Sequence, residues 1–166
     1  MSDKTLRPGP REPHRTHVFQ ERIHDAYRSD AKLPTPTSCP DCGAVYANGR
    51  WQWLTAPPDA HSERCPACRR IHDRFPAGRV RIEGQFAAAH RDELIELVRN
   101  LEAKERAEHP LQRVMDIGDE EGALVVTTTD SHLAHGIGEA LRRAYKGELD
   151  SHHNTADNFA HVRWSR

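Results

Sequence analysis

All four cysteines of the chain lie in two short motifs with the pattern Cys-Pro-x-Cys. Two such pairs supply four thiolates, the ligand set of a tetrahedral structural zinc site, and the loop between them only has to bring the pairs together. The proline restricts the backbone of each motif, and Gly43 lets the chain turn away after the first one. The sequence therefore predicts a module that holds one structural Zn²⁺ per chain through Cys39, Cys42, Cys65 and Cys68.

Two disulfides and a redox Cys-x-x-Cys motif are the other roles open to these cysteines. Residues 1–20 are rich in Pro, Arg and His and contain no apolar stretch of a secretory leader, so we expect a reducing, cytoplasmic location that disfavours disulfides. A thioredoxin-type motif follows a strand in a strand-helix-strand unit, whereas prolines are frequent around both pairs here. Because four thiolates leave no coordination position for a substrate water, we expect the metal to be structural.

The composition is that of a polar chain with a limited core: 36% of its 166 residues are hydrophobic and 30% are charged. This length accommodates one modest domain beside a small metal module. No apolar run approaches the length that spans a bilayer, so we expect no membrane partner. Residues 1–81 hold 14 Lys and Arg against 9 Asp and Glu, and the rest hold 10 against 16. The basic front favours an anionic partner, although the same asymmetry also serves solubility alone.

Changes in composition divide the chain into three parts. Residues 1–38 are rich in Pro, Arg and His with few large apolar groups, which predicts a flexible basic arm. The cysteine pairs define a metal module over residues 39–78. From residue 79 onward apolar residues recur with regular periods, which predicts an α+β domain over residues 79–166.

The first half of this domain is predicted to be a strand followed by a long helix. Residues 79–86 alternate apolar and polar side chains with the period of a half-buried strand. Residues 87–109 carry an apolar stripe at helical spacing, and Pro110 ends the helix. The stripe consists of Leu94, Leu97, Val98 and Leu101.

The second half is predicted to contain a hairpin, another helix and further strands. Asp130 or Ser131 caps this helix and Gly147 stops it. Gly136 and Gly138 inside it indicate that a backbone approaches closely there. The predicted buried stripe is Leu133, Ile137, Leu141 and Ala144, and the predicted strands are 113–118, 123–129, 148–152 and 160–164. This order predicts an α+β fold, a βαββα(β) domain with both helices on one face of an antiparallel sheet, preceded by a small zinc-ribbon or knuckle module.

Several of these motifs resemble a known family in their order and detail. They are the double knuckle, the strand residues 82–86, Glu-His-Pro-Leu-Gln-Arg-Val at 108–114, Val-Val-Thr-Thr-Thr-Asp-Ser-His-Leu-Ala at 125–134, and residues 137–141. Over residues 39–164 the chain is similar to the amino-terminal half of the large-ribosomal-subunit export adaptor of archaea and eukaryotes, named after nonsense-mediated decay, and to short bacterial proteins that carry this half. The resemblance implies zinc binding and contact with the large subunit, but not nuclear export. The family usually has more cysteine pairs, so the module here is reduced.

Arginine and tryptophan side chains of the zinc module are the candidates for RNA contact. Guanidinium groups pair with phosphates and stack on bases, and an indole offers a flat face to an unpaired base. We expect one of the two module tryptophans to belong to its core and the other to the contact surface. The predicted RNA-binding residues are Arg50, Trp51, Trp53, Arg64, Arg69, Arg70 and Arg74.

The sequence favours a cytoplasmic, non-enzymatic zinc-binding factor that contacts rRNA and ribosomal protein of the large subunit in assembly, dormancy or stress. We expect it to be monomeric when free and to have no small-molecule substrate. The acidic α+β domain suits basic ribosomal protein better than phosphate. One alternative is a DNA- or polymerase-associated zinc-ribbon regulatory protein. Another is a metal-dependent hydrolase that uses Asp130, His132 and His135, although helix capping by Asp130 explains that cluster better.

Overall fold

In the computed structural model, which describes residues 25–27 and 32–166, short strands surround the two cysteine motifs. They are β1 (Thr37–Ser38), β2 (Val45–Ala47), β3 (Arg50–Gln52) and β4 (His61–Ser62). The strands form a sheet in the order β3-β2-β1-β4, in which β1 and β4 are parallel and the other neighbours antiparallel. Strand β1 thus precedes the predicted module start at residue 39. Most of the predicted arm, residues 1–38, lies outside the described residues.

The second cysteine motif begins a helix, α1 (Pro66–Asp73), that the sequence pattern did not lead us to expect. Cys65 is the N-cap residue, and Pro66 occupies the first turn, where a missing N–H costs nothing. Arg74 ends the helix in the left-handed conformation, with a φ angle of 53°. A proline directly after a residue that can cap is the sequence signal that indicates this helix.

The α+β domain is built on a five-stranded sheet in the order β6-β7-β5-β9-β8. Its strands are β5 (Gly78–Glu83), β6 (Val114–Glu120), β7 (Ala123–Thr128), β8 (Glu148–Asn154) and β9 (Phe159–Ser165). Three of the four pairings are antiparallel, as predicted, whereas β5 and β9 pair in parallel. The sheet is therefore mixed, because the last strand returns to the centre beside the first one. The predicted α+β class is confirmed.

The two long helices of the domain cover one face of this sheet, as predicted. They are α3 (Arg91–Glu108) and α4 (Ser131–Tyr145). Between helices and sheet lie the fully buried side chains of the core, which include Ile82, Leu94, Val98, Leu133, Ile137, Leu141 and Trp164. The prediction for Ala144 is wrong, since this residue is exposed and the neighbouring Tyr145 packs against the core instead. Within the described residues, no helix is both long and apolar enough to cross a membrane.

The strand predicted over residues 79–86 and the helix predicted over 87–109 are both interrupted, because the chain turns at Gly84 and at His90. Gly84 has a φ angle of 104°, which ends the strand. The short helix between the two turns is α2 (Gln85–Ala89). His90 leaves the helical conformation and stacks on Phe86, with 4.1 Å between the ring centroids. Phe86 thus reaches the core from a helix and not from the strand.

Gly138 lies where α4 packs against the sheet. A methyl group added there would lie 2.6 Å from Cγ1 of Val162 and 2.8 Å from Cδ1 of Leu149. At Gly136 the nearest such atom is Cδ2 of Leu101, 3.9 Å away. The predicted close approach therefore exists at Gly138, where side chains and not a backbone make it, and it is wrong for Gly136.

The two glycines form a matched pair for a stability measurement. In Gly138→Ala the new methyl group overpacks the contact with Val162 and Leu149, which outweighs the gain in helix propensity and lowers the free energy of unfolding by about 1–2 kcal/mol. Gly136→Ala has room for the methyl group and raises the free energy of unfolding by up to about 1 kcal/mol. Chemical denaturation measures both changes. Stability changes of the same sign would contradict the packing described for α4.

Candidate metal centre

Four sulfur atoms converge between the two cysteine motifs. The Sγ atoms of Cys39, Cys42, Cys65 and Cys68 all lie within 4.8 Å of one another, and no other group of three or more potential metal ligands is found among the described residues. The Sγ atoms of Cys42 and Cys65 are 3.8 Å apart. A tetrahedral ion with metal–sulfur bonds of about 2.3 Å requires an edge of about 3.8 Å between sulfurs. The predicted four-cysteine set is thus brought together and can hold one metal ion.

Backbone hydrogen bonds fix the sulfurs in this arrangement. The amide of Gly43 donates to the carbonyl of Cys39 at 2.9 Å, and Gly43 adopts a φ angle of 78°, as its place after the motif predicts. The amide of Cys65 donates to Sγ of Cys39 at 3.3 Å, which joins the two motifs. The amide of Cys68 donates to Sγ of Cys65 at 3.4 Å, as expected of a knuckle. The start of α1 also directs the positive end of its helix dipole toward these sulfurs.

The cysteines differ in the pKa of their thiols because their surroundings differ. Burial raises the pKa of the Cys65 thiol above its ordinary value, and the neighbouring thiols raise it further. Burial acts in the same direction on Cys39, but the backbone N–H groups of Cys65, Cys42 and Asp41 lower the pKa of Cys39 to about 7. Four thiolates so close together need a compensating positive charge, which a divalent metal ion supplies. The donor set and its surroundings therefore fit a metal ion bound by sulfur.

The α+β domain contributes a buried cation, Arg113, to this cluster. Its guanidinium donates from Nη1 to Sγ of Cys68 at 3.2 Å and from Nη2 to Sγ of Cys42 at 3.1 Å and Cys65 at 3.5 Å. Its Nε donates to the carbonyl of Pro110 at 2.8 Å. Burial acts to lower the pKa of Arg113, but the hydrogen bond to Cys68 and the nearby thiolates raise it above its ordinary value, so the side chain stays charged. No local pattern marks this residue, because 45 positions separate it from Cys68.

Arg70, one of the predicted RNA contacts, is directed into the protein. Only 3% of the residue is exposed. Its guanidinium donates to Oδ1 of Asp25 at 2.7 Å and to the carbonyl of Phe75 at 3.1 Å, and it lies 4.4 Å from the ring centroid of Tyr27. The prediction for Arg70 is therefore corrected, because its charge and its donors are taken up by contacts within the chain.

The other predicted arginines differ in their partners. Arg64 forms an ion pair with Asp41, and Arg69 forms one with Glu63. Arg50 and Arg74 are exposed and form no ion pair with another described residue. Two arginines of the module thus remain available to an anionic partner within the part of the chain that the structure describes.

The two module tryptophans have the different environments that we expected. Trp51 packs against the cysteine cluster and lies 5.6 Å from the ring of Tyr46, measured between centroids. Trp53 is 38% exposed, and its indole N–H donates to the carbonyl of Arg106 at 2.7 Å. Because this carbonyl belongs to the last turn of α3, it lacks a helical partner and Trp53 satisfies it.

A groove of about 740 Å³ lies between the metal module and the α+β domain. Its lining includes the aromatic residues Tyr46, Trp51 and Trp53 from the module and residues 107–112 from the α+β domain. Arg50 also lines the groove, as do the carboxylates of Asp25, Glu108 and Asp130. The aromatic side chains offer flat faces on which a planar ring can stack, and the polar groups around them can bind its substituents.

The alternative cluster on α4 does not converge. Oδ1 of Asp130 accepts a hydrogen bond from the amide of Leu133 at 3.0 Å, so Asp130 is the N-cap of α4, as predicted. His132 is exposed, and the ring of His135 lies 6.1 Å from that of His153. Burial, and then the charges of His153 and His132, lower the pKa of His135.

Comparison of the chain with protein-family models, with curated proteins and with solved structures finds no match. What the site can do follows from its own chemistry: a set of four sulfur ligands, a buried cation beside it and an aromatic groove.

Arg70 and Arg74 allow a direct test of the burial described above. Arg70→Gln leaves Asp25 without its partner and removes the contact with Tyr27, so we expect the free energy of unfolding to fall by about 3 kcal/mol. Arg74→Gln changes an exposed side chain and is expected to alter stability by no more than about 0.5 kcal/mol. Denaturation of the metal-loaded protein, monitored by tryptophan fluorescence, measures both stability changes. An equal loss of stability in the two variants would contradict the buried contacts described for Arg70.

Proposed function

We propose that the protein is a non-enzymatic factor, stabilised by one zinc ion, that associates with the large ribosomal subunit. The observation that supports this most strongly is the closed cluster of four sulfurs. Thiolate ligands in a tetrahedral arrangement favour Zn²⁺, and a fourth protein ligand takes the position that a catalytic water would need. When bound, the zinc ion supplies structural cross-linking, and the side chains around it supply the binding surfaces.

Two of the segments that carry the family resemblance, residues 108–114 and 125–134, lie together beside this cluster, which supports the ribosomal assignment. Residues 108–114 provide Arg113, which donates to three of the sulfurs, and Leu111, which packs against them. Residues 125–134 provide Thr129, whose Oγ1 accepts from the amide of Arg113 at 3.0 Å and donates to the carbonyl of Leu111 at 2.6 Å. Motifs that are separate in the sequence thus share one structural role beside the metal module.

The chemistry of the module surface suits an unpaired RNA segment. Arg50 and Arg74 offer charges that form no ion pair with a described residue. Trp53 lines the groove and is 38% exposed, although the guanidinium of Arg106 lies 5.8 Å from its ring centroid. A base can stack on an indole face while a guanidinium meets the adjacent phosphate. The paired Arg64 and Arg69 would have to leave Asp41 and Glu63 before they could contact RNA, so we assign them a smaller part.

The proposal also includes a protein partner, a cellular location and the conditions of binding. The acidic α+β domain is assigned to basic ribosomal protein, because opposite charge directs such encounters. A cytoplasmic location fits cysteines that act as reduced metal ligands. Assembly, dormancy and stress are the conditions in which such a factor would join the subunit.

Co-sedimentation with isolated large subunits at graded salt tests this proposal. We expect binding at low salt that weakens steeply as salt is added, because phosphate contacts release counterions. Arg50→Glu and Arg74→Glu should each reduce the slope of log affinity against log salt by about 1–2. Arg143→Glu, the same charge change on an exposed position of α4, serves as control and should leave the slope unchanged.

Two outcomes would refute the ribosomal assignment. One is a wild-type protein that stays in the supernatant at low salt with subunits from growing, starved and heat-shocked cells alike. The other is a gel shift in which the protein binds duplex DNA but not ribosomal RNA, which would indicate the DNA-associated regulatory protein instead.

A further inference from the structure

We propose that Arg113 makes the docking of the metal module onto the α+β domain depend on the metal ion. In this proposal the cysteine cluster, when it holds a metal, presents three sulfur acceptors to the guanidinium of Arg113, and these hydrogen bonds hold the two parts in one arrangement. Loss of the metal releases the module while the α+β domain stays folded. The inference rests on the metal-binding part of the proposed function and is independent of the ribosomal part.

The first support is the convergence of acceptors from both cysteine motifs on one guanidinium. Cys42 belongs to the first motif, and Cys65 and Cys68 belong to the second. All three Sγ atoms lie 3.1–3.5 Å from the Nη atoms of Arg113. The three acceptors occupy these positions together only while the two motifs are held against each other, and a metal ion shared by all four cysteines holds them so.

The second support is that the α+β domain fixes Arg113 without help from the module. Its Nε donates to the carbonyl of Pro110 at 2.8 Å, and its amide donates to Oγ1 of Thr129 at 3.0 Å. The next residue, Val114, donates its amide to Oε1 of Glu102 at 2.7 Å. The domain therefore presents a pre-positioned cation to whatever packs above it.

The third support is the way in which the charge of Arg113 is compensated. The residue is 5% exposed, and its guanidinium hydrogen bonds within the described residues go to three sulfurs and to one carbonyl oxygen, with no carboxylate among the acceptors. A tetrathiolate around a divalent ion carries two negative charges, one of which Arg113 offsets. A buried cation whose anionic partner moves away is costly, so the docked arrangement loses its support when the cluster comes apart.

The fourth support is that the regular elements of the two parts make little contact with each other. No helix or strand of the module packs extensively along one of the α+β domain in the described residues. Beyond Arg113, the contacts among the described residues include the packing of Leu111 against the cluster and the short link at residues 74–77. Trp53 adds a hydrogen bond to the carbonyl of Arg106, and the guanidinium of Arg106 lies 5.8 Å from the centroid of the Trp53 ring. The aromatic groove lies across this same junction. Its shape therefore depends on whether the module is docked.

The three tryptophans of the chain report the relevant events separately. Trp51 packs against the cysteine cluster and reports the module. Trp53 donates to the carbonyl of Arg106 across the junction and reports docking. Trp164 is fully buried, donates to the carbonyl of Lys146 at 2.7 Å and reports the core of the α+β domain. The indole N–H signals in a ¹⁵N-correlated NMR spectrum of the full chain therefore distinguish undocking from unfolding.

The first arm of the test removes the metal from the full chain with a chelator. We expect the indole N–H of Trp53 to exchange with water at least 10-fold faster and the Trp51 signal to move. The Trp164 signal should keep its position and its protection. Unchanged protection at Trp53 overturns the proposal, because docking would then not need the metal. Loss of the Trp164 signal also overturns it, because the metal would then support the whole fold.

The second arm replaces Arg113. Arg113→Gln should still bind one metal per chain, measured by mass spectrometry, but transfer it to a chelator 10–100-fold faster than wild type. Trp53 should lose protection while Trp164 keeps it. Arg113→Lys retains the charge on a single donor atom. Its rate of metal transfer and its Trp53 protection should lie between those of wild type and Arg113→Gln. Arg91→Gln, which removes a partly exposed arginine paired with Asp119 and remote from the cysteines, is the control and should behave as wild type.

Wild-type transfer rate and wild-type Trp53 protection in Arg113→Gln would overturn the proposal. Loss of the Trp164 signal would reveal that this variant fails to fold. In that case the proposal is tested by Arg113→Lys and by metal removal from the wild-type chain. A protein that fails to bind ribosomes but shows these responses refutes the proposed function alone. A protein that binds ribosomes and is insensitive to Arg113 refutes this inference alone.

Discussion

The convergence of four sulfur atoms is the constraint on which the rest of the metal module depends. Beside the cysteines, the buried apolar side chains of the module among the described residues are small, namely Ala44, Val45, Ala67 and Ala77, and Trp51 and Leu111 pack against the cysteine cluster while partly exposed. So small a core cannot offset the entropy of ordering four short strands and a helix. The four cysteines can hold one ion, and its coordination would supply the missing stabilisation. The backbone amides of Cys65 and Cys68, which donate to sulfur, show that the chain is arranged for charged ligands.

The α+β domain, in contrast, is stabilised by a conventional hydrophobic core and serves as the platform. Its helices cover one face of the sheet, and the opposite face carries charges that are already matched. Arg79 pairs with Glu120, and both Arg81 and Arg163 pair with Glu83. A face whose cations are neutralised in this way is a poor surface for phosphate. Under the proposed function, this balance assigns the contact with an anionic partner to the metal module, with Arg50 and Arg74.

Features that depend on neighbouring residues could be predicted from the sequence. The four ligands follow from motif spacing, the stripe of α3 from its period, and the N-cap of α4 from Asp130. Features that depend on distant residues could not. The pairing of β5 with β9 joins the two ends of the domain, and Asp25 lies 45 positions from the Arg70 that it neutralises. Arg113 was missed for the same reason. Helix α1 was also missed, but for a different reason. Pro66 after the N-cap residue Cys65 is a local signal for a helix start, and we interpreted both residues only as parts of a metal-binding motif.

X-ray absorption spectroscopy of the purified protein at the zinc edge tests the central claim most directly. One zinc ion per chain with four sulfur neighbours at about 2.3 Å is the predicted result, because all four Sγ atoms lie within 4.8 Å of one another. A protein that contains no metal, or whose metal has nitrogen or oxygen neighbours in place of any of the four sulfurs, would contradict the claim that this cluster organises the module.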